Sequence, residues 1–196
     1  NETNVLPDVL RSFFGEAAGR PREAMQARFE MVDGTYELKP IGTSTVSPQL
    51  WNEYMRAEIP PLFGLEFSSQ RWERGIVSVG DTTFLLVTLN KKGKAEEHQY
   101  NDKFISNEQF SWVSQNQMKR ANPSSQKLLN QEKERRKVFL FVRGQGKTPQ
   151  GKAAPFVFCG NIKFLNWEGD NPITVQWQLE NPLPDTMFKL FDHSQK

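Results

Sequence analysis

Amides, an acid, lysines and aromatic rings interleave between Thr88 and Asn116, and these are the residues whose types and spacing could do chemistry. Asn90-Lys91-Lys92 leads to His98-Gln99-Tyr100-Asn101-Asp102, then to Ser106 and to Phe110-Ser111-Trp112-Val113-Ser114-Gln115-Asn116. Asn and Gln can pair bidentately with adenine edges and Asp can accept from a cytosine amino group. An aromatic face can stack on a base drawn out of its helix. Phe104, Phe110 and Trp112 alternate as core residues also do, so Trp112 has a structural reading of equal weight. Ser114, Gln115 and Asn116 form an amide-rich strand end that is costly to bury without partners, and they are expected to face solvent or ligand.

The second feature is charge. Between Lys119 and Lys152 stand ten Lys and Arg against only Glu132 and Glu134, a local +8 within a chain of net charge +2. A concentration of this kind is the sequence footprint of a site for a polyanion, although a solvated helix and loop would carry it equally well. The candidate phosphate contacts are Lys91, Lys92, Lys119, Arg120, Arg135, Arg136, Arg143 and Lys147.

The inventory for catalysis is thin. The chain has two histidines, His98 and His193, in no metal-ligand spacing, and one cysteine, Cys159, inside the apolar run Phe156-Val157-Phe158-Cys159. Gly-x-Ser-x-Gly, His-Glu-x-x-His and Cys-x-x-Cys are all lacking. Gly144-Gln145-Gly146-Lys147-Thr148 imitates a phosphate loop, but Phe141 stands where that motif needs its first glycine. Pro149 and polar residues then replace the helix whose N-terminus would hold the phosphate. Glu132-Lys133-Glu134 lies in a polar helix and reads as a solvated charge run. No catalytic residue, metal or cofactor is expected, so the chain reads as a recognition domain and not an enzyme.

The elements that must position these residues are mostly strands. With 196 residues, 37% of them hydrophobic and 15 of them Phe, the chain can bury one substantial core. Helices are expected over Asn4 to Ala18, over Pro21 to Met31, and from Ser47-Pro48 to Pro60-Pro61. From Gly75 onward short runs rich in Val, Thr, Phe and Ile alternate with turn residues. Strands are expected at Ile76–Val79, Thr83–Leu89, Lys103–Ile105, Phe110–Ser114, Val138–Arg143, Pro155–Lys163 and Ile173–Leu179. The last two should form a hairpin through Glu168-Gly169-Asp170-Asn171-Pro172. One polar helix, Ser124 to Arg136, should interrupt them. The expected fold class is therefore α+β and β-rich, a curved sheet or β-barrel with N-terminal helices. Residues 1–46 are expected to be a helical linker or coupling segment and residues 47–196 the recognition domain. The apolar runs fall well short of the roughly 20 residues that span a bilayer. The start at Asn1 and the lone Cys159 suggest a fragment of a larger protein working in a reducing cytoplasm.

A succession of motifs resembles a known family. In order these are Gly75-Ile76-Val77, Thr83 through Lys91, Tyr100-Asn101-Asp102, Ile105-Ser106, Phe110 through Asn116, Val138 through Arg143, Ala154 through Gly160, Glu168-Gly169 and Trp177. Together they resemble the C-terminal domain, formerly of unknown function, of bacterial helicase-type restriction proteins, over about Leu50 to Pro184. The resemblance implies a DNA-recognition module working with a helicase motor and a phospholipase-D-like nuclease in the bacterial cytoplasm. Some relatives look like SET-and-RING-associated or PUA-like barrels, which would extrude a modified cytosine from double-stranded DNA. Carried over, the base-binding face would be Tyr100, Asp102, Trp112, Ser114, Gln115 and Asn116. The charge of Lys119 to Lys152 departs from the family's pattern. Two rivals stand beside modified-base reading: a reader of unmodified duplex sequence, and a protein-interaction module that couples helicase to nuclease.

Overall fold

The computed structural model describes residues 27–32, 35–40, 47–90, 102–114 and 118–194. Backbone proximity divides the chain into two compact units, Asn1–Val46 and Ser47–Lys196.

In the first unit β1 (Ala27–Val32) pairs antiparallel with β2 (Thr35–Pro40), Ala27 opposite Pro40 and Val32 opposite Thr35. The helix expected over Pro21 to Met31 is thus a strand from Ala27 onward. Ala27, Phe29 and Met31 alternate with Arg28 and Glu30, a period of two, and Asp33-Gly34 is a strong hairpin dipeptide. The helix expected over Asn4 to Ala18 lies outside the described residues.

The second unit contains β3 (Glu53–Tyr54), α1 (Ile59–Leu62), α2 (Ser69–Trp72), β4 (Ile76–Val79), β5 (Thr82–Asn90), β6 (Lys103–Phe104) and β7 (Gln109–Val113). It continues with α3 (Pro123–Leu129), β8 (Lys137–Gln145), β9 (Phe156–Gly169), β10 (Ile173–Leu179) and α4 (Asp185–Ser194). One eight-stranded mixed sheet runs β4-β5-β8-β9-β10-β7-β6, with β3 added beside β9. β5 and β8 are parallel and every other pair is antiparallel. The sheet does not close, since β4 and β6 are its two ends. The fold is therefore a sheet-rich α+β with an open sheet, and the barrel expected from the sequence is not formed.

The spine is β9, whose fourteen residues serve two sets of neighbours. Its first part pairs with β3 and β8, from Val157 opposite Val142 to Asn161 opposite Phe139. Its second part pairs with β10, from Ile162 opposite Leu179 to Gly169 opposite Ile173. Between the two stands Gly160 at φ +84, and a Cβ there would lie 2.8 Å from Leu50 Cδ2. A second irregularity follows where the β10 register shifts between Gln176 and Trp177. Bulges of this kind bend a strand, so the two half-sheets share one curved strand and no ring is completed.

Alternation along the central strands buries both of their faces. Leu85, Val87, Val138, Leu140, Val142, Val157 and Cys159 join Trp112, Ile173, Val175 and Trp177 in the larger core, sealed by Leu128 of α3 and Phe191 of α4. The opposite residues, Phe84, Leu86, Phe141, Phe156 and Phe158, pack with Ile59 and Trp72 in a second core. Phe63 lies over that second core, 4.8 Å from Phe84 and 4.9 Å from Phe139 between ring centroids. This explains why Ser47 to Pro60 is not the helix its apolar spacing predicted. Trp51 takes φ +68 and donates its N–H to Phe158 O, while Asn52 O accepts from Phe158 N. The segment is thus drawn onto β9 as a strand, and α1 and α2 are single turns covering the aromatic layer.

The helix expected over Ser124 to Arg136 stops at Leu129. Gln131 turns inward, only 4% exposed, where Nε2 donates to Ile162 O (2.7 Å) and Oε1 accepts from Phe164 N (2.8 Å). Arg135 then adopts a left-handed φ of +51 before β8 begins. Helix α4 was not anticipated, although Met187, Phe188 and Phe191 after Pro184-Asp185 carry its spacing. Among the described residues no helix is long and apolar enough to cross a membrane.

The β9–β10 turn supplies a first prediction. Gly169 has φ +73 and a Cβ there would stand 2.7 Å from the Pro172 carbonyl oxygen, a backbone atom that cannot swing aside. Gly169→Ala is expected to destabilise the chain by more than about 1 kcal/mol in thermal or urea melting. Unchanged melting would mean that this turn does not hold the hairpin.

Candidate nucleic-acid interface

The expected base-reading residues divide into those that build the sheet and those beyond the described residues. Trp112 is 6% exposed, opposite Val175 of β10, and belongs to the larger core. Its ring is therefore structural and does not offer a stacking surface. Asp102 is 2% exposed, and its Oδ1 accepts the Val113 N–H at 2.8 Å. Ser114 is fully buried: its N–H donates to Ile173 O (2.8 Å) and its Oγ accepts from Ile173 N (2.9 Å). Asp102 and Ser114 thus extend the pairing of β7 beyond its regular end, which corrects the expectation that Ser114 faces solvent or ligand. Tyr100, Gln115 and Asn116 lie outside the described residues. Asp102 and Ser114 themselves lie together at one end of β7.

That arrangement yields a second prediction. Removing the Asp102 carboxylate leaves the Val113 N–H unpaired in a half-buried site, and such a loss costs about 1–3 kcal/mol. Asp102→Ala is expected to lower the melting temperature clearly, so any change in its ligand affinity must be read at a temperature where it is folded. A native melting curve for this variant would show that the carboxylate is not structural.

The cations of the Lys119 to Lys152 stretch form no single patch. Apart from Lys127 on α3, they fall into three groups along β9, a strand at most about 44 Å long if straight. At its Gly169 end, Arg120 donates Nε to Gly169 O (2.6 Å), takes Asp170 Oδ1 on its own N–H (2.8 Å) and stacks 3.9 Å above the Trp167 ring. Lys119 beside it is exposed. The middle group, at the start of β8, contains exposed Lys133, Arg135 and Lys137. Arg136 is set apart from these. Its side chain is 10% exposed, Nη2 donates to Gly80 O (2.7 Å) and Nη1 lies 3.8 Å from Glu134. Arg136 therefore ties the β4–β5 turn to β8 and is not presented to a phosphate as the sequence suggested.

The third group stands at the Phe156 end, where the parallel strands β5 and β8 both finish. Arg143, next along β8 on the face that carries Phe139 and Phe141, lies 4.3 Å over the Phe156 ring. It donates Nε to Thr88 Oγ1 (2.9 Å) and Nη1 to Ala154 O (2.9 Å). Arg56, a residue sequence reasoning did not single out, lies over the same ring at 5.1 Å. Its Nη1 donates to Trp72 O (2.5 Å) and Arg74 O (3.1 Å). Burial, and next the neighbouring Arg56 charge, push Arg143 down to about 10. Burial also lowers Arg56, against a smaller opposing effect of Glu73. Exposed Lys147 and Lys152 sit on the hairpin that follows, closed by the bridge between Lys147 and Ala153. Lys91 and Lys92 come directly after Asn90, the last residue of β5, and lie outside the described residues.

Guanidiniums held in a fixed plane have the chemistry that suits oxyanions. Among the described residues no three His, Cys, Asp or Glu side chains gather as a metal site. Cys159 is fully buried and its thiol is pushed far up by burial, which keeps it protonated and unreactive. No curated protein matches the chain. Residues 49–191, nearly the whole second unit and most of the chain, match the family described as a domain of unknown function, DUF3427, and the chain belongs to that family.

Proposed function

We propose that this chain is a non-catalytic DNA-recognition domain of a bacterial restriction or defence protein, which reads cytosine modification in duplex DNA. The observation that supports it is the distribution of positive charge: three cationic groups strung along one strand, in which Lys119, Lys133, Arg135, Lys137, Lys147 and Lys152 are exposed. Duplex DNA presents a charge about every 1.7 Å of its axis, so an elongated array of cations fits it better than a compact patch would. Phosphate contacts of this kind supply affinity and salt dependence and carry no sequence information. Base reading then falls to Tyr100, Gln115 and Asn116, which adjoin Asp102 and Ser114 in sequence. A flipped base must regain the few kcal/mol of stacking and pairing it loses, and amides with an aromatic ring provide the means.

The test is fluorescence anisotropy with otherwise identical duplexes carrying cytosine, 5-methylcytosine or 5-hydroxymethylcytosine, at 50 and 200 mM salt. Affinity is expected to fall by at least tenfold across that salt range and to differ among the three bases. Replacing Lys119, Lys137, Lys147 and Lys152 with Gln should weaken all three duplexes alike and flatten the salt slope. Equal affinity for the three bases would leave a reader of unmodified sequence. Absence of any salt-dependent binding would overturn the DNA reading and favour a protein-coupling module.

A further inference from the structure

Arg56 and Arg143 share the Phe156 ring as a platform. Two half-buried guanidiniums lie over one phenyl ring, close enough for the charge of one to depress ionisation of the other. The carboxylate beside them is inadequate: Glu73 Oε2 is 4.0 Å from Arg56 Nε, and the Glu73 side chain is 67% exposed. Arg143 has no carboxylate within ion-pair distance among the described residues. Each guanidinium is held by backbone or hydroxyl oxygens through some of its nitrogens, which fixes its plane. Each leaves Nη2 without a hydrogen-bond partner among the described residues and in reach of solvent. An oriented, desolvated guanidinium with a free edge is the geometry that binds phosphate as a fork, and it differs from what a lysine point charge can do.

We propose that Arg56 and Arg143 seat one phosphate group through their Nη2 edges, with Phe156 as their common platform. This rests on the DNA reading above for the source of the phosphate, an internal backbone phosphate of bound duplex. A bound phosphate would remove the repulsion between the two cations. It would also lock the segment carrying Arg56 and α2 onto the end of β8, making the site sensitive to DNA occupancy. Lys147 and Lys152 on the adjoining hairpin add long-range attraction but lack the fork.

The experiment uses the whole chain with Arg56→Lys and Arg143→Lys, which keep the charge and remove the fork. Each is checked by thermal melting, and each is measured for duplex affinity and for binding of inorganic phosphate. In parallel the arginine side-chain N–H signals of the unmodified chain are followed by NMR as phosphate or duplex is added. Each Lys variant is expected to lose about tenfold in affinity for every duplex, with the salt slope nearly unchanged because the charge remains. Both arginine signals should shift on adding duplex. If folded variants keep full duplex affinity and the signals stay still, the fork is wrong while the DNA reading stands. If the unmodified chain ignores DNA but phosphate shifts both signals, the fork stands and the DNA reading falls, with a free phosphate group as the ligand. If neither ligand binds, both fail. A variant that does not fold leaves the NMR titration of the unmodified chain to decide.

Discussion

Gln131→Ala is expected to destabilise the protein by about 3 kcal/mol or more, an effect large for a residue that sequence alone places in a polar helix. The side chain is 4% exposed and its two ends satisfy Ile162 O and Phe164 N, the backbone groups flanking Lys163 where β9 leaves one half-sheet for the other. Each orphaned group costs about 1–3 kcal/mol. Gln131→Met separates the polar contribution from packing, because it keeps the length and apolar volume while losing both bonds. Urea melting of both variants is the measurement. If Met restores native stability, Gln131 acts by filling space and the bend of β9 does not depend on it. A weakened bend should also alter the spacing of the cationic groups, so duplex affinity of the folded variant should fall although no cation has been removed.

Trp177→Ala is the second large effect, about 3–5 kcal/mol, a major share of the roughly 5–15 kcal/mol that stabilises a domain. Trp177 is fully buried, opposite Phe110 on β7 and Phe164 on β9, with its ring 6.2 Å edge-on from that of Phe164. Its Nε1 is buried without a partner among the described residues. Trp177→Phe is therefore expected to cost much less than Ala, since it removes an unpaired N–H along with the extra volume. Equal losses for Phe and Ala in thermal melting would show that indole shape, and not apolar burial, sustains the centre of the sheet. Trp177 and Gln131 meet through Phe164, so their double variant should depart from the sum of the single losses.

Much of the sheet was legible in the sequence because its strands obey simple periodicity. Ile76–Val79 and Ile173–Leu179 stand where Val, Ile and Thr alternate between turn residues, and the hairpin through Gly169 follows from its turn chemistry. The errors share one cause, competition from partners distant in sequence. Leu50, Trp51, Tyr54 and Met55 have helical spacing, yet the free edge of β9 near Phe158 offered backbone pairing that local pattern cannot foresee. Likewise Gln131 ends α3 early because a bulged strand thirty residues later needs its amide. Closure was misjudged because alternation reveals that a strand is buried and says nothing of which neighbour it finds. At the site, Arg143 and Lys147 were visible as charge beside a strand end. Arg56 was not, because its role comes from reaching a ring a hundred residues away. Trp112, Ser114 and Arg136 show the reverse: residue types suited to nucleic acid that the fold employs in its own construction.

The parallel pairing of β5 and β8 has a consequence for how the chain acquires this structure. Each β5 residue meets the one 55 positions later, Thr82 with Lys137 and Val87 with Val142, whereas β4–β5 and β9–β10 are local hairpins. During synthesis at roughly 5–20 residues per second, β5 therefore waits about 3–11 s with one edge unpaired and its apolar faces uncovered. Non-local contacts of that span slow folding and leave nascent chains open to sticking together. Until the ribosome has released Gln145 the second unit has no centre, and a chain cut short before that residue should be recovered as aggregate.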